Sequence, residues 1–371
     1  MSGIATPDTG DLLYSDTEDE LRASVRALLT KSAPWDAVLA RTESPETTDS
    51  ALWRALVHEV GCTALSVSEQ FDGGGASWRE VAVVAEELGR AVAPVPFLGH
   101  SLAIALLQEL QQTELLGRLA RGELTATVAI PFGAPAAVPG AEIEVTDGRL
   151  SGTIRTVADA LVADVLLVPV ADAVYVVAAH ADGLSRNAIV SLDMTRPLAD
   201  LVLDGVAATP ATTNRDVAAA LTRTRQIGSA LLASEQLGAA EKCLEMTVEY
   251  LLVRRQFART IGSYQALKHR AADVWVAITQ AKAVARYAAE CAATDSADLP
   301  VAAALAKAHC SEVVQQAAEE CLQLHGGIGF TWEHPTHLYL KRAKSSALAL
   351  GGPAYHRGVL STLIDLDGAD Q

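Results

Sequence analysis

Aromatic residues make up only 5% of this 371-residue chain, so its core must be built largely from aliphatic side chains. Half of the residues are hydrophobic, with Ala, Leu and Val prominent, and alanine at that density favours long helices. Cysteine is also sparse: Cys62, Cys243, Cys291, Cys310 and Cys321 are scattered, with no C-x-x-C pair. That spacing argues against a zinc site and reads as buried thiols in a cytoplasmic protein. No stretch long enough to cross a bilayer is free of charges or breakers, so no membrane span is expected. Met1 to Leu13 lacks the basic start and apolar run of a signal peptide. Positive charge is in the minority, with 29 Lys and Arg against 45 Asp and Glu and a net charge of -16. A nucleic-acid partner would want a basic face, so none is expected; the charge suits a soluble protein that repels its neighbours.

The texture runs from helices to strands and back to longer helices. Thr17-Glu18-Asp19-Glu20 has the pattern of a capping box opening a helix toward Leu29. A second helix through Trp53 to Val60 stops at Gly61, and Asp72-Gly73-Gly74-Gly75 reads as a loop. Ser77-Trp78-Arg79-Glu80 is another capping box, opening a helix to about Leu88. Near Leu124 the pattern changes. Ile143 and Val145 alternate with Glu142, Glu144 and Thr146, and Asp147-Gly148 then marks a hairpin turn. Val165 to Val170 and Tyr175 to Ala179 read as buried strands. After Asp216 helical spacing returns, with Val274, Ile278, Ala281 and Ala285 on one stripe of a bundle. The expected division is a helical domain over 1–123, a β domain over 124–210 and a helical bundle over 211–371.

One local cluster opposes the acidic background: Arg254, Arg255, Arg259, Lys268, His269 and Arg270. Such a cluster needs carboxylate partners or a ligand phosphate, which guanidinium groups match with a two-point fork. Phe257 beside it offers a ring on which an adenine could stack. Downstream, Gly326-Gly327-Ile328-Gly329 follows helical text, either as a helix stop or as backbone that a ligand can approach. It completes no dinucleotide fingerprint and no P-loop. His334 and His337 have H-x-x-H spacing, but Pro335 between them suggests a helix start and no third ligand is evident, so no metal site is expected. The Lys341-Arg342-Ala343-Lys344 run reads as helix surface.

The two C-terminal segments together resemble the acyl-CoA dehydrogenase family. Arg254, Phe257, Ile261 and Gln265 match its R-x-x-F-G-x-x-I-x-x-x-Q pattern, with Ala258 in place of the usual Gly. Gln323, Gly326, Gly327, Gly329 and Phe330 match Q-x-x-G-G-x-G-F. Glu69 to Gly75 and Glu86-Glu87-Leu88-Gly89-Arg90 look like the family's N-terminal loop and helix. The resemblance implies a mainly α fold: an N-terminal helical domain, a middle β-barrel-like domain and a C-terminal four-helix bundle. It also implies FAD as cofactor. Arg254, Gln256, Phe257, Ile261, Gln265, Gln323, Gly326 and Gly327 would then grip the adenosine end of a flavin bound mostly to a neighbouring subunit.

Other family features are absent. The family's T-E-P-x-x-G-S-D stretch corresponds to Ile130-Pro131-Phe132-Gly133-Ala134-Pro135, without hydroxyl or acid. Thr156 stands where an aromatic residue is expected against the isoalloxazine. The proton α to a thioester is removed by a placed carboxylate, but the family's two base positions align with Leu350 and Gly228. Glu235 and Glu249 share a helix with Gly228 and read as solvated. This combination resembles the non-catalytic subunit of actinobacterial heterotetrameric (α2β2) acyl-CoA dehydrogenases of steroid side-chain oxidation. It implies a second acyl-CoA dehydrogenase-like subunit that supplies the glutamate, an acyl-CoA substrate undergoing α,β-dehydrogenation with hydride transfer to flavin, and an electron-transfer acceptor. A self-sufficient enzyme with an unusual base such as Glu235, or a scaffold without activity, are the alternatives.

Overall fold

The computed structural model describes residues 12–134, 143–211 and 215–365. Six helices come first: α1 (Asp16–Ser32), α2 (Trp35–Thr42), α3 (Ser50–Ala55), α4 (Trp78–Arg90), α5 (Phe97–Glu109) and α6 (Thr113–Ala120). The capping box of α1 sits two residues earlier than expected. Ser15 is the cap, its hydroxyl accepting from the Glu18 N–H while the Glu18 carboxylate accepts from the Ser15 N–H at 2.8 Å. The Ser77 and Glu80 box opens α4 as its spacing requires. The helix through Trp53 ends in a wider turn over Leu56–Val60, closed by Gly61 at φ 73°. Helix α2 had no counterpart in the sequence reading.

Eight strands follow: β1 (Ala126–Val128), β2 (Ile143–Thr146), β3 (Arg149–Ala158), β4 (Val165–Val170), β5 (Ala173–Ala178), β6 (Leu184–Ile189), β7 (Leu198–Ala207) and β8 (Thr209–Pro210). They form two four-stranded sheets, ordered β1-β4-β5-β8 and β2-β3-β7-β6. Asp147 and Gly148 both have positive φ, 51° and 72°, and join paired Thr146 and Arg149, which is the geometry of a two-residue hairpin turn. Leu150, Ile154, Leu201 and Leu203 from one sheet and Leu166, Val168 and Val177 from the other share a separate buried core. Pro135 and Glu142 lie outside the described residues.

The last part holds α7 (Val217–Val253), a hairpin β9 (Arg255–Gln256) and β10 (Arg259–Thr260), α8 (Gln265–Ala293), α9 (Leu299–His325), α10 (Thr336–Leu348) and α11 (Pro353–Leu363). Helix α7 packs on α4 and α5 on one side and on α8 and α9 on the other, so it is apolar nearly all round. Val274, Ile278, Ala281 and Ala285 are buried on α8, as their spacing predicts. All five cysteines are free and buried. Among the described residues, no helix is long and apolar enough to cross a membrane.

Two glycines set the distance between the N-terminal helices and α7. A Cβ on Gly89 would collide with the Glu235 carbonyl, and one on Gly238 with the Glu86 carbonyl. Gly238→Ala therefore forces two buried helices apart and is expected to destabilise the chain by about 3 kcal/mol, read from urea unfolding.

Glu18 also fastens α1 to distant helices. Its carboxylate accepts from Arg79 at 2.9 Å and from Arg286 at 2.6 Å. Burial by itself would raise the Glu18 carboxyl, but hydrogen bonds from Arg79, the Ser15 backbone and Arg286 outweigh it and bring it from 4.5 down to about 2. The native state thus holds the ionised form, and its contribution is complete above pH 4.5 and lost as pH falls toward 2. Acid titration of unfolding free energy is expected to show this loss, with a weaker pH dependence in Glu18→Gln.

Candidate functional site

The far end of the bundle carries the cofactor-grip residues expected from the sequence. Helix α7 stops where Arg254 turns extended, at φ -67° and ψ 129°. The chain then folds into the β9–β10 hairpin, whose tip is Phe257 and Ala258, at φ 53° and 64°. The left-handed Ala258 explains why glycine suits this position: alanine there costs on the order of 1–2 kcal/mol. The Ile261 N–H closes the hairpin onto the Arg254 carbonyl at 2.9 Å. Phe257 is 87% exposed.

Helix α9 ends beside this hairpin. Tyr250, in the last turn of α7, stacks on His325, the final residue of α9, with ring centroids 4.6 Å apart. Gly326, at φ 60° and ψ -138°, adopts a backbone that glycine alone takes readily. Gly327 is different. Its φ is not positive and a Cβ there would meet no atom within 4 Å. Among the described residues, nothing requires this position to be bare.

The structure thus gathers Arg254, Gln256, Phe257, Ile261, Gln265, Gln323, Gly326 and Gly327 at one end of the bundle, all exposed except the half-buried Ile261. Among the described residues, the side chains of Arg254, Gln256, Gln265 and Gln323 make no hydrogen bond. The basic cluster is divided. Arg270 forks onto Glu320 at 2.7 and 2.9 Å, and Arg259 lies over the Tyr264 ring at 3.8 Å. Leu252, Val253, Phe330 and Trp332 surround this face at 56–73% exposure, an apolar rim the sequence reading missed. Its signal was a set of large apolar residues at helix ends with no evident partner.

The interior centre has the opposite character. Gly228 on α7 and Leu350 after α10, far apart in sequence, meet here. A Cβ built on Gly228 would lie 2.9 Å from Leu350 Cδ1 and 2.5 Å from Leu102 Cδ2. The Leu350 N–H donates to the Phe132 carbonyl at 2.8 Å, and the Phe132 N–H donates to the Thr156 carbonyl at 3.0 Å. The Thr156 hydroxyl is spent on its neighbour's carbonyl, Arg155, at 2.8 Å. Leu98, Leu102, Ile130, Phe132 and Leu350 leave a gap of about 10 Å³, barely room for a water. A flavin ring has no place in that gap, whereas the far end is open to solvent.

Two sequence expectations need correction around this centre. Glu235 is not solvated: it is buried, pairs with Arg196, and meets Arg342 Nε at 3.2 Å. Arg342 is not helix surface either, since it is buried and also meets Asp193 at 3.2 Å. Each Glu235 oxygen faces an arginine, Oε2 toward Arg196 and Oε1 toward Arg342. Glu249 is exposed as expected. His334 precedes α10 and His337 lies within it, with Pro335 as the helix cap, and no metal-binding cluster occurs among the described residues.

Residues 15–123 match the acyl-CoA dehydrogenase N-terminal domain and residues 218–362 the acyl-CoA dehydrogenase C-terminal domain. Acyl-CoA dehydrogenase IpdE2 of Mycolicibacterium smegmatis is 37% identical, over 91% of this chain and 96% of its own length. The ChsE4-ChsE5 complex of Mycobacterium tuberculosis contains a chain with TM-score 0.85 and 26% identity, covering 97% of this chain and 100% of that one. A chain of the Tcur3481-Tcur3483 steroid ACAD has TM-score 0.84 and 31% identity, covering 95% and 98%.

Glu235→Ala is expected to cost about 3–5 kcal/mol by leaving Arg196 and Arg342 buried without their carboxylate; a base at this position would instead lose turnover at unchanged stability. With helices, sheets and motifs in register along nearly its whole length, the chain belongs to the acyl-CoA dehydrogenase family.

Proposed function

We propose that this chain is the non-catalytic subunit of a heteromeric FAD-dependent acyl-CoA dehydrogenase, an α2β2 assembly with a second acyl-CoA dehydrogenase-like chain. Its substrate is an acyl-CoA thioester derived from a steroid. One observation carries the reading: the two positions from which the family draws its base, Gly228 and Leu350, touch each other in an apolar, filled centre. A proton cannot be taken from a thioester there without a carboxylate.

The outward end supports the other half of the reading. FAD is the cofactor of the family and, when bound, supplies the hydride acceptor. Arg254 offers a guanidinium for the pyrophosphate, Phe257 a ring for the adenine, and Gly327 a backbone free of side chain. Gln256, Gln265 and Gln323 add unpaired amides around them. The partner supplies the flavin wall, the acyl pocket and the glutamate, and an electron-transfer protein reoxidises the cofactor. The names of the two similar complexes, ChsE4-ChsE5 and the Tcur3481-Tcur3483 steroid ACAD, support a paired assembly and a steroid substrate. Buried free thiols suit work in the cytoplasm. We take the domain limits as 1–123, 124–210 and 211–371.

The chain purified alone is expected to be colourless, and to carry the flavin absorption band only after coexpression with its partner, with fewer flavins than chains. Arg254→Ala combined with Phe257→Ala is expected to lower flavin retention by the complex about tenfold or more. Isolated chain that holds flavin and oxidises a thioester would refute the reading, and unchanged flavin retention in the double variant would reduce the chain to a scaffold.

A further inference from the structure

The five cysteines differ in what their sulfurs meet. Cys310 donates to the Ala281 carbonyl at 3.6 Å, and Cys291 has Tyr287 and Ser296 beside it. Burial pushes the Cys310 thiol up to about 12 and raises that of Cys62 as well, which keeps both protonated and unreactive. Cys243 and Cys321 instead face each other across the packed helices α7 and α9. A second contact fixes the register of these helices. Tyr250, two turns beyond Cys243, stacks on His325, one turn beyond Cys321, with ring centroids 4.6 Å apart.

Cys321 also has an imidazole at its side. The Cys321 carbonyl accepts from His325 Nδ1 at 2.7 Å, and the Cys321 sulfur stands 3.7 Å from the same nitrogen. Contact with Cys243 does most to lower the Cys321 thiol; burial opposes it, and His325 and Thr247 help to hold it well below its ordinary value. Burial by itself would lower the His325 imidazole, but its bonds to Cys321 raise it. Burial raises the Cys243 thiol, and Cys321 adds to that rise. One sulfur of the pair is thus poised as a thiolate and the other keeps its proton, the division found in an attacking and a resolving cysteine. Cys321 stands one turn from the end of α9, where Gly326 and Gly327 are exposed, so a water-sized oxidant has only that turn to pass.

We propose that Cys321 is a redox modification site, oxidised by hydrogen peroxide and resolved by Cys243 into a reversible disulfide that joins α7 to α9. The Cys321 thiolate attacks one peroxide oxygen and the O–O bond breaks. A sulfenic acid forms, and the hydroxide released takes up the proton that the thiol had given. The Cys243 sulfur then attacks the Cys321 sulfur, the S–O bond breaks, and the hydroxyl leaves as water with the Cys243 proton. Two thiols lose two electrons and two protons, and one peroxide becomes two waters. The bond removes the thiolate that His325 faces, and Gly326 follows His325 directly, so the oxidation state of the pair reaches the exposed turn. A reversible disulfide in a cytoplasmic setting is ordinarily of this sensing kind. The site concerns this chain's own sulfurs and stands whether or not the chain works in a heteromeric assembly.

The test is treatment of the full-length chain with hydrogen peroxide, followed by non-reducing digestion and mass spectrometry. The peptides carrying Cys243 and Cys321 are expected joined, two hydrogens lighter than the separate pair, and separated again by dithiothreitol. Cys62, Cys291 and Cys310 are expected to stay free. Cys243→Ser is expected to leave Cys321 as a sulfenic acid that dimedone traps, and His325→Phe to slow its oxidation about tenfold by removing the imidazole from the thiolate. Hydrogen exchange of the Gly326 and Gly327 amides is expected to change between the reduced and oxidised chain. The wild-type mapping and exchange carry the test if a variant does not fold. Cys321 that reacts no faster than Cys310, a disulfide to any other cysteine, or exchange at Gly326 and Gly327 that is the same in both states overturns the proposal. None of these outcomes bears on flavin content.

Discussion

The Arg342 guanidinium is the joint on which the three parts of the chain depend. Arising from α10 in the C-terminal bundle, it meets Asp193 from the β region and Glu235 on α7, and donates to the Ala93 carbonyl after α4 at 3.1 Å. Arg196, from the same turn as Asp193, closes onto the other Glu235 oxygen. Buried ion pairs add little net stability over an apolar core, but breaking one is costly. The value of this set lies in placement: it ties together four segments distant in sequence. That arrangement puts β3 and the Phe132 segment over Leu350, and so decides what lies at the centre.

Helix α7 then separates two environments. Near its first third, Gly228 faces leucines in a closed interior. At its far end, Arg254 and the hairpin face solvent with unpaired polar groups and bare backbone. The apolar contact at Gly228 and the exposed side chain of Arg254 lie within and at the end of one continuous helix. The two features are separable because the interior is governed by packing volume, whereas the end is governed by exposure and backbone conformation.

Features set by a few neighbouring residues were legible in the sequence. The Asp147-Gly148 turn needs two residues that tolerate positive φ, and the Ser77 and Glu80 box needs only its own spacing. The α1 cap was misplaced because two hydroxyl residues, Ser15 and Thr17, both precede acids at suitable distance. Ser15 prevails with Glu18, which also reaches Arg79 and Arg286. Glu235 and Arg342 could not be read correctly, since a charged residue on a helix announces a solvated face unless its distant counter-charges are known. Likewise the alignment of Gly228 and Leu350 indicated a missing acid, but only the fold reveals Leu102 and Phe132 filling the space. The strands β6 and β7 were missed because β7 carries apolar residues on both faces, with exposed Val202 between buried Leu201 and Leu203, and β6 buries no residue, so neither reads as an apolar and polar alternation.

The length of α7 has a metric consequence. Between Gly228 and Arg254 the helix rises about 39 Å at roughly 1.5 Å per residue. The rod acts as a ruler: the turns of helix between Gly228 and Arg254 hold the closed interior and the exposed hairpin a fixed distance apart.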